Sequence, residues 1–181
     1  MAFEKTISVD LHSHTLEKRI SEKAYWRFAK AMQLNAIAIT EHPPFNPKKA
    51  FERVQALQPK NIALIPGSEL NTSIGHVLCY APDPELYEVH ELFDKPPLIE
   101  VALQIAKKEG FLLSVAHPWG FSHDSAAYLI GEKPLLRLVQ ENHLGVEAFN
   151  GMIGDISEFL YKSRFIQRPL QFFNFLEKNA V

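Results

Sequence analysis

Residues 36–42 read Ala-Ile-Ala-Ile-Thr-Glu-His, and the fold class follows from how that run is bounded. A short, continuous apolar run with β-branched members suits a strand buried on both faces, because neither side needs to meet water. The run stops at Glu41-His42, and Pro43-Pro44 excludes helix immediately beyond. A strand buried on both faces needs helices above and below it, and the flanking sequence supplies them. Upstream, Ser21 is placed to cap a helix over residues 22–32, with Ala24, Phe28 and Ala31 on one stripe, Tyr25 and Met32 beside them, and Asn35 as a stop. Downstream, residues 47–57 read as a second helix.

The same alternation extends in both directions. Residues 6–11, Thr-Ile-Ser-Val-Asp-Leu, alternate apolar and polar types as a strand that ends in His12-Ser13-His14. Residues 62–65 form a strand, with Pro66-Gly67 turning into Ser68-Glu69. Further strands are expected at 76–80, at 111–116 before His117-Pro118, and at 146–149. Helices are expected at 98–109 with Gly110 as C-cap, at 133–142, at 155–164 and at 169–178. Strands alternating with helices predict a parallel α/β sheet, open or closed into a barrel. With no internal repeat, low-complexity tract or linker, residues 1–181 read as one domain.

Composition limits the function classes. The 181 residues are 46% hydrophobic and 22% charged with a formal net charge of −2, the profile of a folded globular chain. There are 19 Lys+Arg against 21 Asp+Glu and no basic cluster longer than a pair, so a long nucleic acid is not the expected partner. No run approaches the ~18 apolar residues of a membrane span. The single cysteine, Cys79, cannot form an internal disulfide, and the N-terminus lacks a secretory pattern, so a cytoplasmic protein is expected.

The chemistry collects at strand ends, where α/β folds build their sites. Those ends carry Asp10, His12, His14, His42, Glu69, His76, His117 and Glu147. Side chains two apart on a strand point the same way, so His12 and His14 can reach one ion while Ser13 points away. Imidazoles with a carboxylate suit Zn, Mn or Fe(II), and this many ligands could serve more than one ion. Glu69, with two oxygens, is the expected bridge. Each residue has a plainer reading: His42 and His117 as strand terminators, His76 as a core histidine, Glu41 as a solvated turn residue, Glu147 as an outward-facing strand residue. His90, His123 and His143 default to the surface. The plainer readings leave unexplained why one residue type recurs at one end of successive strands.

Taken together, Asp-Leu-His-Ser-His-Thr (10–15), Ala-Ile-Ala-Ile-Thr-Glu-His (36–42), Pro-Gly-Ser-Glu-Leu (66–70), Gly-His-Val-Leu (75–78), Ala-His-Pro (116–118) and Gly-Val-Glu-Ala-Phe-Asn-Gly (145–151) resemble the polymerase and histidinol phosphatase (PHP) superfamily. The resemblance implies a distorted (β/α)7 barrel with two or three divalent metals, Zn, Mn or Fe, hydrolysing phosphate esters. It implies His12, His14, Glu69, His76 and His117 as ligands of two metals bridged by Glu69, with His42 at a third position. The chain departs from the family twice. Family members carry another His or Asp shortly after HxH, where this chain offers only Glu17, Lys18, Arg19 and Ser21. They also close with a strand bearing Asp-x-His, and no such motif precedes Val181. A barrel lacking its C-terminal strand is therefore expected, with at most two metals and an open edge that invites a homo-oligomer.

The expected activity is metal-dependent hydrolysis of a small phosphomonoester or nucleotide-type substrate, carried by Glu69, His117 and Arg19. Arg19, or Lys18 or Lys49, would clamp the phosphate, and Trp119, with Phe121, would stack a ring. Two alternatives stand beside it. One is an amidohydrolase-type C–N hydrolase, which usually bridges its metals with a strand-end Lys not seen here. The other is a PHP-like metal-binding module without strong catalysis.

Overall fold

The structure is a computed structural model and describes residues 6–120 and 124–148. Six strands, β1 (Val9–Asp10), β2 (Ala36–Ile39), β3 (Ala63–Thr72), β4 (Gly75–Tyr80), β5 (Leu112–Val115) and β6 (Gly145–Val146), form one sheet in that order. The helices are α1 (Glu22–Ala31), α2 (Pro47–Gln55), α3 (His90–Phe93), α4 (Ile99–Glu109), α5 (Ala126–Ile130) and α6 (Glu132–Asn142). The chain parts into two compact units, Met1–Val146 and Glu147–Val181, and the first holds every element named. The helices expected at 155–164 and 169–178 lie outside the described residues, as does Phe149, the last residue of the strand expected at 146–149. No helix among the described residues is long and apolar enough to cross a membrane.

In β2, Ile37, Ala38 and Ile39 are fully buried, as a strand covered on both faces requires. The expectation of a wholly parallel sheet is corrected at β4, which runs antiparallel to both β3 and β5, while β1–β2, β2–β3 and β5–β6 are parallel. The cause is the two-residue hairpin loop, Ser73-Ile74, that joins Thr72 to Gly75, and Pro66-Gly67 does not turn the chain. The strand continues through it and changes partner, pairing with β2 up to Ile39↔Pro66 and with β4 from Gly67↔Tyr80. Gly67 is required there, since a Cβ would lie 2.9 Å from the Cys79 carbonyl and 3.2 Å from that of Ile39.

The sheet curls strongly. Neighbouring strands are about 4.8 Å apart, so β1 and β5, with three strands between them, would stand roughly 19 Å apart in a flat sheet. Instead His12, just past β1, and His117, just past β5, stack with ring centroids 5.9 Å apart. The Tyr80 hydroxyl, at the end of β4, likewise donates to the Leu11 carbonyl at 2.9 Å. The curl draws five successive strands, β1 to β5, into one cluster, with His76 contributed by the start of β4 because that strand runs antiparallel.

Helix α1 begins as expected, with Ser21 Oγ accepting from the Ala24 amide. Its buried face differs: Tyr25, Trp26 and Ala29 are buried, whereas Phe28 and Met32 are exposed. The two stripes are adjacent on the helix, and tertiary contact chose between them: Trp26 Nε1 donates to the Val54 carbonyl at the end of α2 at 2.9 Å. Gly110 caps α4 at φ 75°, as expected.

Candidate metal centre

The loop after β1 is stitched to β2 through Ser13. Its amide donates to Thr40 Oγ1 at 3.0 Å, its carbonyl accepts from the Thr40 amide at 2.9 Å, and its hydroxyl bonds the Ala38 carbonyl and meets the Tyr25 hydroxyl at 2.7 Å. With Ser13 held on that side, His12 and His14 turn to the other. Asp10, one of the strand-end carboxylates, accepts from the His12 amide at 3.1 Å and so orients the loop.

Glu41 is corrected outright: it is fully buried, not a solvated turn residue. Its carboxylate accepts from the Thr15 and Leu16 amides and the Thr15 hydroxyl on one oxygen, and from the Glu17 amide on the other. A carboxylate removed from water needs that many donors. Glu41 thus anchors the turn that follows His14.

Glu69, on β3, is the hub, and only 2% of its side chain is exposed. One oxygen, Oε2, lies 2.9 Å from His12 Nε2, 3.2 Å from His14 Nε2 and 3.1 Å from His42 Nε2. The other, Oε1, lies 2.9 Å from both His76 Nδ1 and His117 Nε2, which are themselves 3.4 Å apart. His76 projects from β4, and His117 lies two residues past β5 with φ at 27°, a left-handed kink that redirects the chain. Burial alone would raise the Glu69 carboxyl, but hydrogen bonds from His117, His12, His14 and His76 outweigh it and hold it far below the usual carboxylate range. Burial lowers His42 below its ordinary value, partly offset by Glu69.

Glu17 completes a third group that sequence reasoning missed. Its Oε2 lies 3.6 Å from His14 Nδ1 and 3.8 Å from His42 Nε2. Burial would raise its carboxyl, but Lys18, His14 and His42 lower it. The available signal was a carboxylate three residues after HxH, which a one-turn loop returns to the same side.

These residues fit metal ions by three observations. The groups His12–His14–Glu69, His14–Glu17–His42 and His42–Glu69–His76 each place one ligand atom per residue within 4.8 Å of the others. His14 Nδ1 and Glu17 Oε2 are buried yet have no hydrogen-bond partner among the described residues. His42 Nδ1 donates to the Glu69 carbonyl at 3.0 Å, since a carbonyl can only accept, so in the neutral ring Nε2 carries a lone pair. That lone pair faces Glu69 Oε2, a juxtaposition of two acceptors that a cation between them would relieve.

The remaining candidates lie apart. Arg19 is exposed at φ 55°, and no hydrogen bond or ion pair joins it to the cluster among the described residues. Trp119 is half-buried two residues after His117, with its Nε1 buried and lacking a hydrogen-bond partner among the described residues. His90 is exposed and pairs with Asp94, and His143 caps α6. Glu147 falls in the second compact unit, and His123 and Phe121 lie outside the described residues.

Solved structures share this fold. A two-domain protein from Bacteroides vulgatus, containing a predicted PHP-like metal-dependent phosphoesterase, matches with a TM-score of 0.58 and 23% identity over 78% of this chain. The chain spans only 44% of that protein's length. A protein from Bifidobacterium adolescentis, provisionally named a metal-dependent phosphoesterase, matches with a TM-score of 0.56 and 13% identity, covering 80% of this chain and 78% of its own. No protein-family profile and no curated protein sequence matches the chain.

Proposed function

We propose that this chain is a PHP-type metal-dependent phosphoesterase whose curled sheet is part of a distorted (β/α)7 barrel. The observation that carries the reading is the division of labour at Glu69: one oxygen faces His12, His14 and His42, and the other faces His76 and His117. A carboxylate placed so is built to bridge. His12, His14 and Glu69 would hold one ion, His76, His117 and Glu69 a second, and His14, Glu17 and His42 a third. The mixed imidazole and carboxylate set suits Zn, Mn or Fe(II).

Such ions, when bound, neutralise a phosphate ester and bring the pKa of a bound water to near 7. The chain's own residues supply the geometry. Ser13 and Asp10 aim the HxH pair, Glu41 fixes the turn that carries Glu17, and the His42 bond to the Glu69 carbonyl sets which ring nitrogen faces the centre. Arg19, on the exposed turn beyond Glu17, would approach the substrate phosphate, and Trp119 would flank a ring on the His117 side. A small phosphomonoester or nucleotide is the proposed substrate, and the −2 net charge favours it over a long polyanion.

The test is elemental analysis of the purified protein, followed by a phosphomonoester screen with Mn2+, Zn2+ and Fe2+, using Glu69→Gln as control. Stoichiometric metal with hydrolysis that Glu69→Gln removes supports the proposal. No stoichiometric metal after reconstitution overturns it, and metal without hydrolysis of any ester favours the binding-module alternative.

A further inference from the structure

The candidate centre is unevenly supplied with negative charge. The groups built on His12, His14 and His42 draw on Glu69 Oε2 and on Glu17, whereas His76 and His117 both face the other oxygen of Glu69, Oε1. Two neutral imidazoles and half of a shared carboxylate leave a dication poorly neutralised in a partly buried site. A further carboxylate stands beside this pair. Asp124 Oδ2 lies 4.0 Å from His76 Nδ1, the same ring nitrogen that faces Glu69.

The chain positions Asp124 through backbone contacts. The His76 amide donates to the Asp124 carbonyl at 2.8 Å, and the His76 carbonyl accepts from the Ala116 amide at 3.1 Å, tying both loops to one residue of β4. The loop closes on itself, with the Ala127 amide and the Ser125 hydroxyl both donating to the Pro118 carbonyl, at 2.9 and 2.5 Å. Ser125 and Ala126 are fully buried. Gly75, at φ 103°, makes room: a Cβ there would collide with the Asp124 carbonyl. This local constraint holds the Asp124 backbone beside His76, with the carboxylate 4.0 Å from the ring.

We propose that Asp124 is a ligand of the metal held by His76, His117 and Glu69, an inference that rests on the metal-centre reading above. Two donors about 2.1 Å from a tetrahedral ion are about 3.4 Å apart, so the observed 4.0 Å closes by a small side-chain rotation. The carboxylate raises the charge available to that ion without disturbing the His12–His14 side.

Titration calorimetry of the metal-stripped protein with Zn2+ and with Mn2+ tests this, comparing wild type with Asp124→Asn, Asp124→Glu, His12→Ala and the exposed-charge control Glu100→Gln. Asp124→Asn is expected to weaken one class of sites by about 10–100-fold and spare the rest, with an unchanged metal-free melting temperature. Asp124→Glu is expected to recover part of the loss, and this holds as the deciding comparison if Asp124→Asn also proves less stable. An Asp124→Asn isotherm that superimposes on wild type, or a loss no larger than that of Glu100→Gln, overturns the assignment. In either case, if His12→Ala still weakens binding, the metal-centre reading survives. A wild type that binds neither ion overturns both.

Discussion

Glu41 offers the sharpest test of how the centre is built, because Glu41→Gln keeps its shape and removes only charge and one acceptor. One carboxylate oxygen accepts three bonds, from the Thr15 amide and hydroxyl and the Leu16 amide, and the other accepts the Glu17 amide. A glutamine can keep its oxygen toward the first three donors, each losing the extra ~1 kcal/mol of charge assistance. Its NH2 must then face the Glu17 amide, a clash of donors costing about 1–3 kcal/mol. Removing a buried charge restores some desolvation free energy, which brings the net loss to about 2–4 kcal/mol. For a chain of this size that corresponds to a melting temperature lower by roughly 4–16 °C. The assay is thermal unfolding of the metal-free protein by circular dichroism, paired with a metal titration. A melting temperature within about 1 °C of wild type would refute the anchoring role. Unchanged metal-free stability together with lost metal would instead make Glu41 a ligand.

Glu69→Gln should cost more activity than Glu41→Gln and leave the protein with substoichiometric metal by elemental analysis; equal losses in both variants would reject the bridge. Gly75→Ala should destabilise by about 2–3 kcal/mol in urea unfolding, from the positive φ and the clash with Asp124, and a change below about 0.5 kcal/mol would show that the loop yields. The Cys79 thiol, pushed up to about 12 by burial, should resist thiol reagents at pH 8 in the native protein and react on unfolding; prompt native labelling would contradict its burial. Burial lowers His42 from 6.5, so the unfolded chain binds the extra proton first, and His42 makes metal-free stability fall as pH drops below about 6.5. Comparing melting temperatures at pH 7.5 and 5.5 for wild type and His42→Gln checks this, and an equal pH dependence in both removes His42 as the cause.

Local rules made much of this protein readable before its structure. The apolar run at 36–39, the Ser21 cap and the Gly110 stop each depend on neighbours in sequence, and each appears where those neighbours dictate. The alternation of strand and helix, and the recurrence of histidine at strand ends, were likewise legible, because side-chain direction on a strand is set by position alone. What needed the tertiary structure depends on distant partners. The antiparallel run of β4 follows from β3 continuing through Pro66-Gly67, which no local pattern distinguishes from a turn, to the tight hairpin at Ser73-Ile74. The buried face of α1 was chosen by Trp26 reaching the end of α2. Glu41 looked solvated beside two prolines, and only the loop folding back from β1 gives it four donors. Glu17 comes within 3.8 Å of His42, and Asp124 within 4.0 Å of His76, for the same reason: a curled sheet brings loops far apart in sequence within a few ångströms of one another. Sequence specifies which groups can bind, and the curl decides which of them meet.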